Sequence, residues 1–340
     1  MTESNPAVVF TNPRQIAVLP DFWQKESPKD GELLIRTRRS LISTGTELTY
    51  LTADFPAGSV WDAETSFPMV PGYSNVGEVV AVGPDTDKSW IGKQVASESP
   101  HSLYAVAQAD QVHAIPREEV SDEVATFFTI SEIVMNGVRR GGAGWGEAIV
   151  VFGLGLLGQL TVRYCRMCGA RPVFAVDVAD NRLGLLPKDA GIVPVNARRD
   201  DVVEVVKKAT RGRMADAVFE VTGDQNLIPG EFRPLRQQGR FVVLSSPRGV
   251  TPFDFCDLCN DPSFTIIGTH NNSHPRHGEL DLPWTRRRHA ELFFDLVSDG
   301  ELLIEPLISH RAPYTDAPRL YQMLLEDRSR AMGVVLEWPE

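Results

Sequence analysis

Ala148-Ile149-Val150-Val151-Phe152, followed at once by Gly153-Leu154-Gly155-Leu156-Leu157-Gly158, decides the fold, together with Val173-Phe174-Ala175-Val176 and the Asp177 that closes it. A short apolar run bounded by glycine suits a strand buried on both faces. The G-x-G-x-x-G spacing is a weak signal alone, and its position between a strand and a helical pattern from about Leu156 to Cys168 gives it meaning. Gly153 permits a tight turn, Gly155 lets a pyrophosphate approach the backbone, and Gly158 lets the helix pack closely on the strand. At Leu156 and Leu157 the helix start offers unpaired N–H groups and the positive end of its dipole to phosphate oxygens. Asp177 stands 19 residues after Gly158. A carboxylate there accepts from adenosine ribose hydroxyls and repels a 2′-phosphate, so NAD(H) is the expected cofactor.

The alternation continues outward from this centre. Helices are expected at 122–140, with Ser121 as N-cap and Glu123 in the first turn, and at 202–210; strands are expected at 217–221 and 241–245. Strands alternating with helices predict an α/β fold with a doubly wound parallel sheet. The N-terminal part reads differently. Apolar runs at 32–36, 77–82, 92–95, 103–106 and 111–115 are punctuated by turns such as Lys29-Asp30-Gly31 and Gly83-Pro84-Asp85. That spacing predicts a partly open β-barrel. After Thr269 a loop rich in His, Asn and Pro leads to helices at 285–298 and 315–326 and a closing strand at 333–337. The expected limits are 1–136, 137–268 and 269–340.

Charge and composition exclude several classes of function. The chain has 34 Lys and Arg against 45 Asp and Glu, a net charge of −11, which opposes binding to nucleic acid. The run Arg286-Arg287-Arg288 reads as a solvated helix face. No apolar run approaches the ~20 residues that span a bilayer, and MTESNPAVVF has no basic region followed by an apolar core. Four cysteines are too few for a disulfide scaffold. The expectation is a cytoplasmic protein acting on a small molecule, with no membrane partner.

Several motifs carry a family resemblance over nearly the whole length: Ile42-Ser43-Thr44-Gly45-Thr46-Glu47, Pro71-Gly72-Tyr73-Ser74-Asn75-Val76-Gly77-Glu78-Val79, Gly92-Lys93-Gln94-Val95, the glycine turn, Phe219-Glu220-Val221-Thr222-Gly223, and Gly239-Arg240-Phe241-Val242-Val243-Leu244. In this order they resemble the medium-chain dehydrogenase/reductase superfamily, in its zinc alcohol dehydrogenase group. The resemblance implies a GroES-like barrel, formed by the N-terminal part and the C-terminal tail, with the Rossmann domain inserted between them. It also implies that Thr222, Ser245 and Thr269 line the cofactor, and that the chain forms a homodimer or homotetramer. The segments Ile42–Glu47 and Val70–Tyr73 look closest to the bacteriochlorophyllide a dehydrogenase branch, and similar segments occur in sugar-type dehydrogenases.

The departures from the family pattern bear on chemistry. Where zinc-using members have Cys-Gly-Thr-Asp, this chain has Thr44-Gly45-Thr46-Glu47; where they have Gly-His-Glu, it has Gly72-Tyr73-Ser74. Threonine and tyrosine are poor zinc ligands beside thiolate and imidazole, and the lobe of four closely spaced cysteines expected after Val95 is missing. The reading is a protein without metal. The resemblance places Thr46 at the substrate hydroxyl, where it begins a proton relay. Tyr73 either donates a proton there or fills the volume left by the metal. Glu47 supports these groups from behind or pairs with a cation, and His101 and His270 are further candidates. The cysteine pairs Cys165/Cys168 and Cys256/Cys259 lie on a helix and a turn that the fold would separate, so they are not expected to share a metal. The expected activity is hydride transfer between NAD(H) and a secondary alcohol or ketone. The rivals are reduction of an activated C=C bond with NAD(P)H, and a nicotinamide-binding protein without catalysis.

Overall fold

The computed structural model describes residues 4–23, 27–116, 120–275 and 277–339. The chain divides into two compact units, Met1–Ile130 with Arg287–Glu340, and Ser131–Arg286.

Ser131–Arg286 is built on a six-stranded parallel sheet in the order Ile192–Asn196, Val173–Asp177, Ile149–Phe152, Ala215–Glu220, Leu235–Val243, Thr265–Gly268. The chain starts in the middle, steps to one edge, then returns past its first strand to the other edge. The order therefore reverses between Ile149–Phe152 and Ala215–Glu220, the switch point where doubly wound sheets bind ligands. One face of the sheet buries Val150, Phe174, Val218 and Phe241 against Val206, Ile228 and Phe232. Phe232 stacks on Phe241 with ring centroids 3.8 Å apart. Each such side chain taken fully out of water contributes ~1.5–3 kcal/mol.

The helix Phe128–Arg140 ends close against this sheet: a Cβ on Gly137 would stand 2.4 Å from Leu244, and one on Gly141, just beyond it, 2.7 Å from Phe219. Its C-terminal half therefore packs with the sheet, and Asn136 and Arg139 hold the segment after Thr269 through Ser273 and the ring of Trp284. The compact units accordingly meet in sequence at 130/131 and 286/287.

In the other unit the strand order is Ile308–Pro313, Gly333–Glu337, Glu32–Ile42, Asn75–Val82, Gln94–Ser97, His113–Ala114, with Tyr104–Gln108 also pairing with Glu32–Ile42. The 11-residue strand Glu32–Ile42 thus serves three neighbours, and register shifts at Leu34/Ile35 and Thr37/Arg39 bend it. A bent strand with partners on successive stretches curls the sheet towards a barrel. Phe10, Ile42, Leu51, Tyr321, Val334, Leu336 and Trp338 share its core, so the C-terminal tail is integral to this unit.

The expected helix 122–140 is two helices, Asp122–Ala125 and Phe128–Arg140, the first capped by Ser121 Oγ on Val124 N at 3.3 Å. The strands Ala7–Asn12, Gln15–Leu19, Ile192–Asn196, Thr265–Gly268 and Ile308–Pro313 and the helix Thr46–Thr52 add to the expected elements. Ile192–Asn196 carries Pro194 inside it, which an edge strand tolerates. Among the described residues no helix is long and apolar enough to cross a membrane.

Candidate active site

The motif Ile42–Glu47 ends a strand and opens the helix Thr46–Thr52, which sets Ser43, Thr46 and Glu47 on one tight turn. Gly72 lies ahead of Tyr73 at φ +106°, and a Cβ there would run into the His101 ring at 2.8 Å. Only glycine lets the chain pass His101 and deliver Tyr73 to the same place. The Tyr73 hydroxyl meets Ser43 Oγ in a short hydrogen bond and donates to Thr46 Oγ1 at 3.3 Å. Its backbone carbonyl accepts from Thr129 Oγ1 at 2.9 Å, and part of the side chain stays open to solvent. Burial pushes the Tyr73 phenol up to about 12; its hydrogen bonds with Ser43 and Thr46 pull against the rise, and the carboxylates of Glu47 and Glu98 add to it. Three neutral hydroxyls therefore converge where the family resemblance places the substrate oxygen.

Behind them lies a closed chain of polar groups. Glu47 is 1% exposed and accepts from Ser43 N at 2.8 Å, from His101 Nε2 at 3.2 Å, and from the Tyr321 hydroxyl. His101 Nδ1 lies 2.8 Å from Ser40 Oγ, which accepts from Trp338 Nε1 at 2.9 Å. Trp338 Nε1–H donates to Ser40, and the His101 ring stands between Ser40 and Glu47 with one nitrogen towards each. Burial, together with the Glu47 carboxylate, holds the Tyr321 phenol well above its ordinary value. Glu47 thus pairs with His101, and His101, wholly buried, serves that pair. Ser40, Ser43, Tyr321 and Trp338 had no signal of their own: Tyr321 and Trp338 lie 274 and 298 residues from their partners in the chain.

The second group of expected residues lies in Ser131–Arg286. Gly153 adopts φ +90°, and a Cβ on it would stand 3.0 Å from Val221 and Thr222 N. A Cβ on Gly158 would collide with Gly153 O at 1.8 Å, whereas the space beside Gly155 is open. The cradle thus leaves room for a phosphate where the motif requires it, at the start of Leu156–Met167. The carboxylate of Asp177 is 7% exposed and already accepts from Leu154 N at 2.7 Å, Val178 N at 2.7 Å and Ala179 N at 2.9 Å, with Arg182 Nη1 at 3.5 Å. It braces the glycine turn through Leu154. Thr222 and Ser245 both hydrogen-bond Glu220, and Thr269 Oγ1 donates to Val243 O at 3.0 Å. His270 is exposed and caps the turn that follows, its Nδ1 accepting from Asn272 N at 3.2 Å. That bond occupies one ring nitrogen in a local structural task.

A sheet of this order, with a glycine turn open to pyrophosphate at its switch point, is the frame of a dinucleotide-dependent oxidoreductase. Residues 29–150 match the alcohol dehydrogenase GroES-like domain, and residues 157–284 match the zinc-binding dehydrogenase family. The chain belongs to the medium-chain dehydrogenase/reductase superfamily, in its zinc alcohol dehydrogenase-like group. It is 24% identical to sorbitol dehydrogenase 1 of Saccharomyces cerevisiae over 99% of both chains. Its fold matches an alcohol dehydrogenase of Escherichia coli CFT073 complexed with NADH, with TM-score 0.79 and 16% identity over 98% of this chain and 99% of that one. It equally matches a protein of Sinorhizobium meliloti 1021 bound to NADP, with TM-score 0.79 and 18% identity over 98% of this chain and 99% of that one. Those two proteins of the same fold were thus crystallised with different nicotinamide cofactors.

The zinc of the family finds no matching donor set. Thr44 and Tyr73 offer hydroxyls where the family resemblance places thiolate and imidazole, and the Tyr73 oxygen is engaged with Ser43 and Thr46. Among the described residues no three His, Cys, Asp or Glu side chains converge to hold a metal ion. Cys165 is buried in its helix, and Cys168 is exposed.

Proposed function

We propose that this protein transfers a hydride between NAD(H) and a secondary alcohol or its ketone, on a polyol, sugar-like or hydroxyethyl-bearing substrate, without a catalytic metal. The observation that carries the reading is the Tyr73 hydroxyl held between Ser43 and Thr46. When bound, the reduced cofactor supplies the hydride. In the reductive direction the carbonyl π pair moves onto oxygen as hydride reaches carbon, and Tyr73 gives its proton to that oxygen. Ser43 and Thr46 keep the phenol oriented and return a proton to it. A neutral phenol suits this role, because it donates to a developing alkoxide without first having to lose charge. A sorbitol dehydrogenase among the relatives supports a neutral, hydroxyl-rich substrate.

Asp177 supports NAD(H) over NADP(H), since its carboxylate lies at the strand end where a 2′-phosphate would meet it. The exposed edge strand Thr265–Gly268, with Ile266 42% exposed, supports pairing with a second copy. Four unpaired cysteines suit a reducing, cytoplasmic setting.

Turnover on a panel of polyols, secondary alcohols, chlorin-type alcohols and their ketones tests the reading. Tyr73→Phe is expected to lower kcat about a hundredfold, about 2.7 kcal/mol, with NADH affinity unchanged. Thr46→Val should act in the same direction, and the double variant should cost less than the sum. An unchanged kcat in Tyr73→Phe would reduce that residue to packing.

A further inference from the structure

The strands Ala215–Glu220 and Leu235–Val243 lie side by side beyond the switch point, and their carboxyl ends carry Thr222 and Ser245. Asp177 marks the opposite half of the sheet as the adenosine half, so this half takes the nicotinamide nucleoside. Glu220 ends its strand fully buried, and its carboxylate gathers four donors. Oε1 accepts from Thr222 N at 2.7 Å, Thr222 Oγ1 at 2.8 Å and Gly223 N at 2.8 Å, while Oε2 accepts from Ser245 Oγ in a short bond. Leu244 N and Ser245 N also donate to the Glu220 backbone carbonyl, each at 3.1 Å, so the side chain adds to a backbone tie between the two strand ends.

We propose that Glu220 is a positioning residue for the nicotinamide half of the cofactor, acting through Thr222, Gly223 and Ser245. Two consequences of the geometry support it. Both hydroxyls spend their protons on the carboxylate, so each turns lone pairs outward. Thr222 Oγ1 uses one on Asp224 N at 3.1 Å, and Ser245 Oγ keeps its own for a ligand N–H or O–H. The nicotinamide nucleoside carries such donors in its carboxamide and ribose hydroxyls. The loop that Glu220 anchors also lies against the glycine cradle, where Gly153 has no room for a Cβ beside Val221 and Thr222. Releasing the loop therefore disturbs the end of the pyrophosphate site nearest the nicotinamide.

The inference rests on the dinucleotide fold and not on which alcohol is oxidised. Glu220→Ala, Glu220→Gln and Ser245→Ala would be titrated with NADH by fluorescence and with AMP, which carries only the adenosine half, by calorimetry. Glu220→Ala is expected to raise the Kd for NADH at least tenfold while the Kd for AMP stays within twofold. Glu220→Gln keeps one acceptor oxygen and should fall between wild type and alanine. Ser245→Ala leaves the buried carboxylate in place and should show a smaller loss for NADH, again with AMP unaffected. Equal losses for NADH and AMP, or unchanged NADH affinity in the alanine variant, would overturn the proposal. A wild-type protein that binds NADH yet turns over no alcohol or ketone defeats the proposed function and leaves this inference standing.

Discussion

Glu231→Gln offers a test of the sheet unit that needs no substrate. Glu231 ends the short helix Ile228–Glu231, is 3% exposed, and neither carboxyl oxygen has a hydrogen-bond partner among the described residues. Burial pushes its carboxyl up to about 8 from an ordinary 4.5, with the Glu220 and Asp224 carboxylates adding to the rise. The folded state thus keeps a proton that the unfolded chain releases above about pH 4.5. Its contribution to stability is fully present below that value and is lost as pH rises, at about 1.4 kcal/mol per pH unit, until pH reaches about 8. The whole loss is about 5 kcal/mol, a large share of the 5–15 kcal/mol that keeps a domain folded. Glutamine has the shape of the protonated acid and no proton to lose. Urea unfolding of both proteins between pH 5 and pH 9 isolates the effect of Glu231 with its coupling to Glu220 and Asp224, because titrating groups that do not interact with it cancel in the difference. The variant should match wild type near pH 5, gain on it steadily to about pH 8, and hold a constant lead beyond. A difference that stays within about 1 kcal/mol across the range would refute the reasoning, since it requires a carboxyl that is charged or partnered in the folded protein.

Three further outcomes follow from the site. Because the Tyr73 phenol is neutral up to about pH 12, alcohol oxidation, which needs its ionised form, should rise about tenfold per unit between pH 7 and pH 9 while ketone reduction stays flat; parallel pH profiles would assign the proton transfer elsewhere. Elemental analysis should find no stoichiometric zinc, and chelator treatment should leave fold and turnover intact; one zinc per chain contradicts the hydroxyl mechanism. Calorimetric titration should show NADH binding at least about tenfold more tightly than NADPH, about 1.4 kcal/mol, and equal affinities would overturn the reading of Asp177 as the selector.

What the sequence by itself determined was everything whose cause is local. The turn Gly153–Gly158 needs glycine for reasons of φ and close approach that act within a few residues. Leu156–Met167 and Val173–Asp177 then follow from apolar runs of the right period. The replacement of thiolate and imidazole by Thr44 and Tyr73 is likewise a fact of residue type. Leu235–Val243 was only half legible: its pairing with Ala215–Glu220 jumps from Leu235 to Arg240, and Gln238, at φ +58°, sits in the stretch that bulges out of register between them. The tertiary structure alone decided which polar groups meet. Glu47, His101 and Tyr321 come from three distant segments and satisfy one another because each would be costly to bury alone. Glu220 gathers Thr222 and Ser245 for the same reason, whereas Glu231, a residue of the same type 11 positions later, finds no donor among the described residues and keeps its proton. Composition and periodicity carry no record of these outcomes, since the cost of an unpaired buried charge depends on what the fold brings within about 3 Å of it.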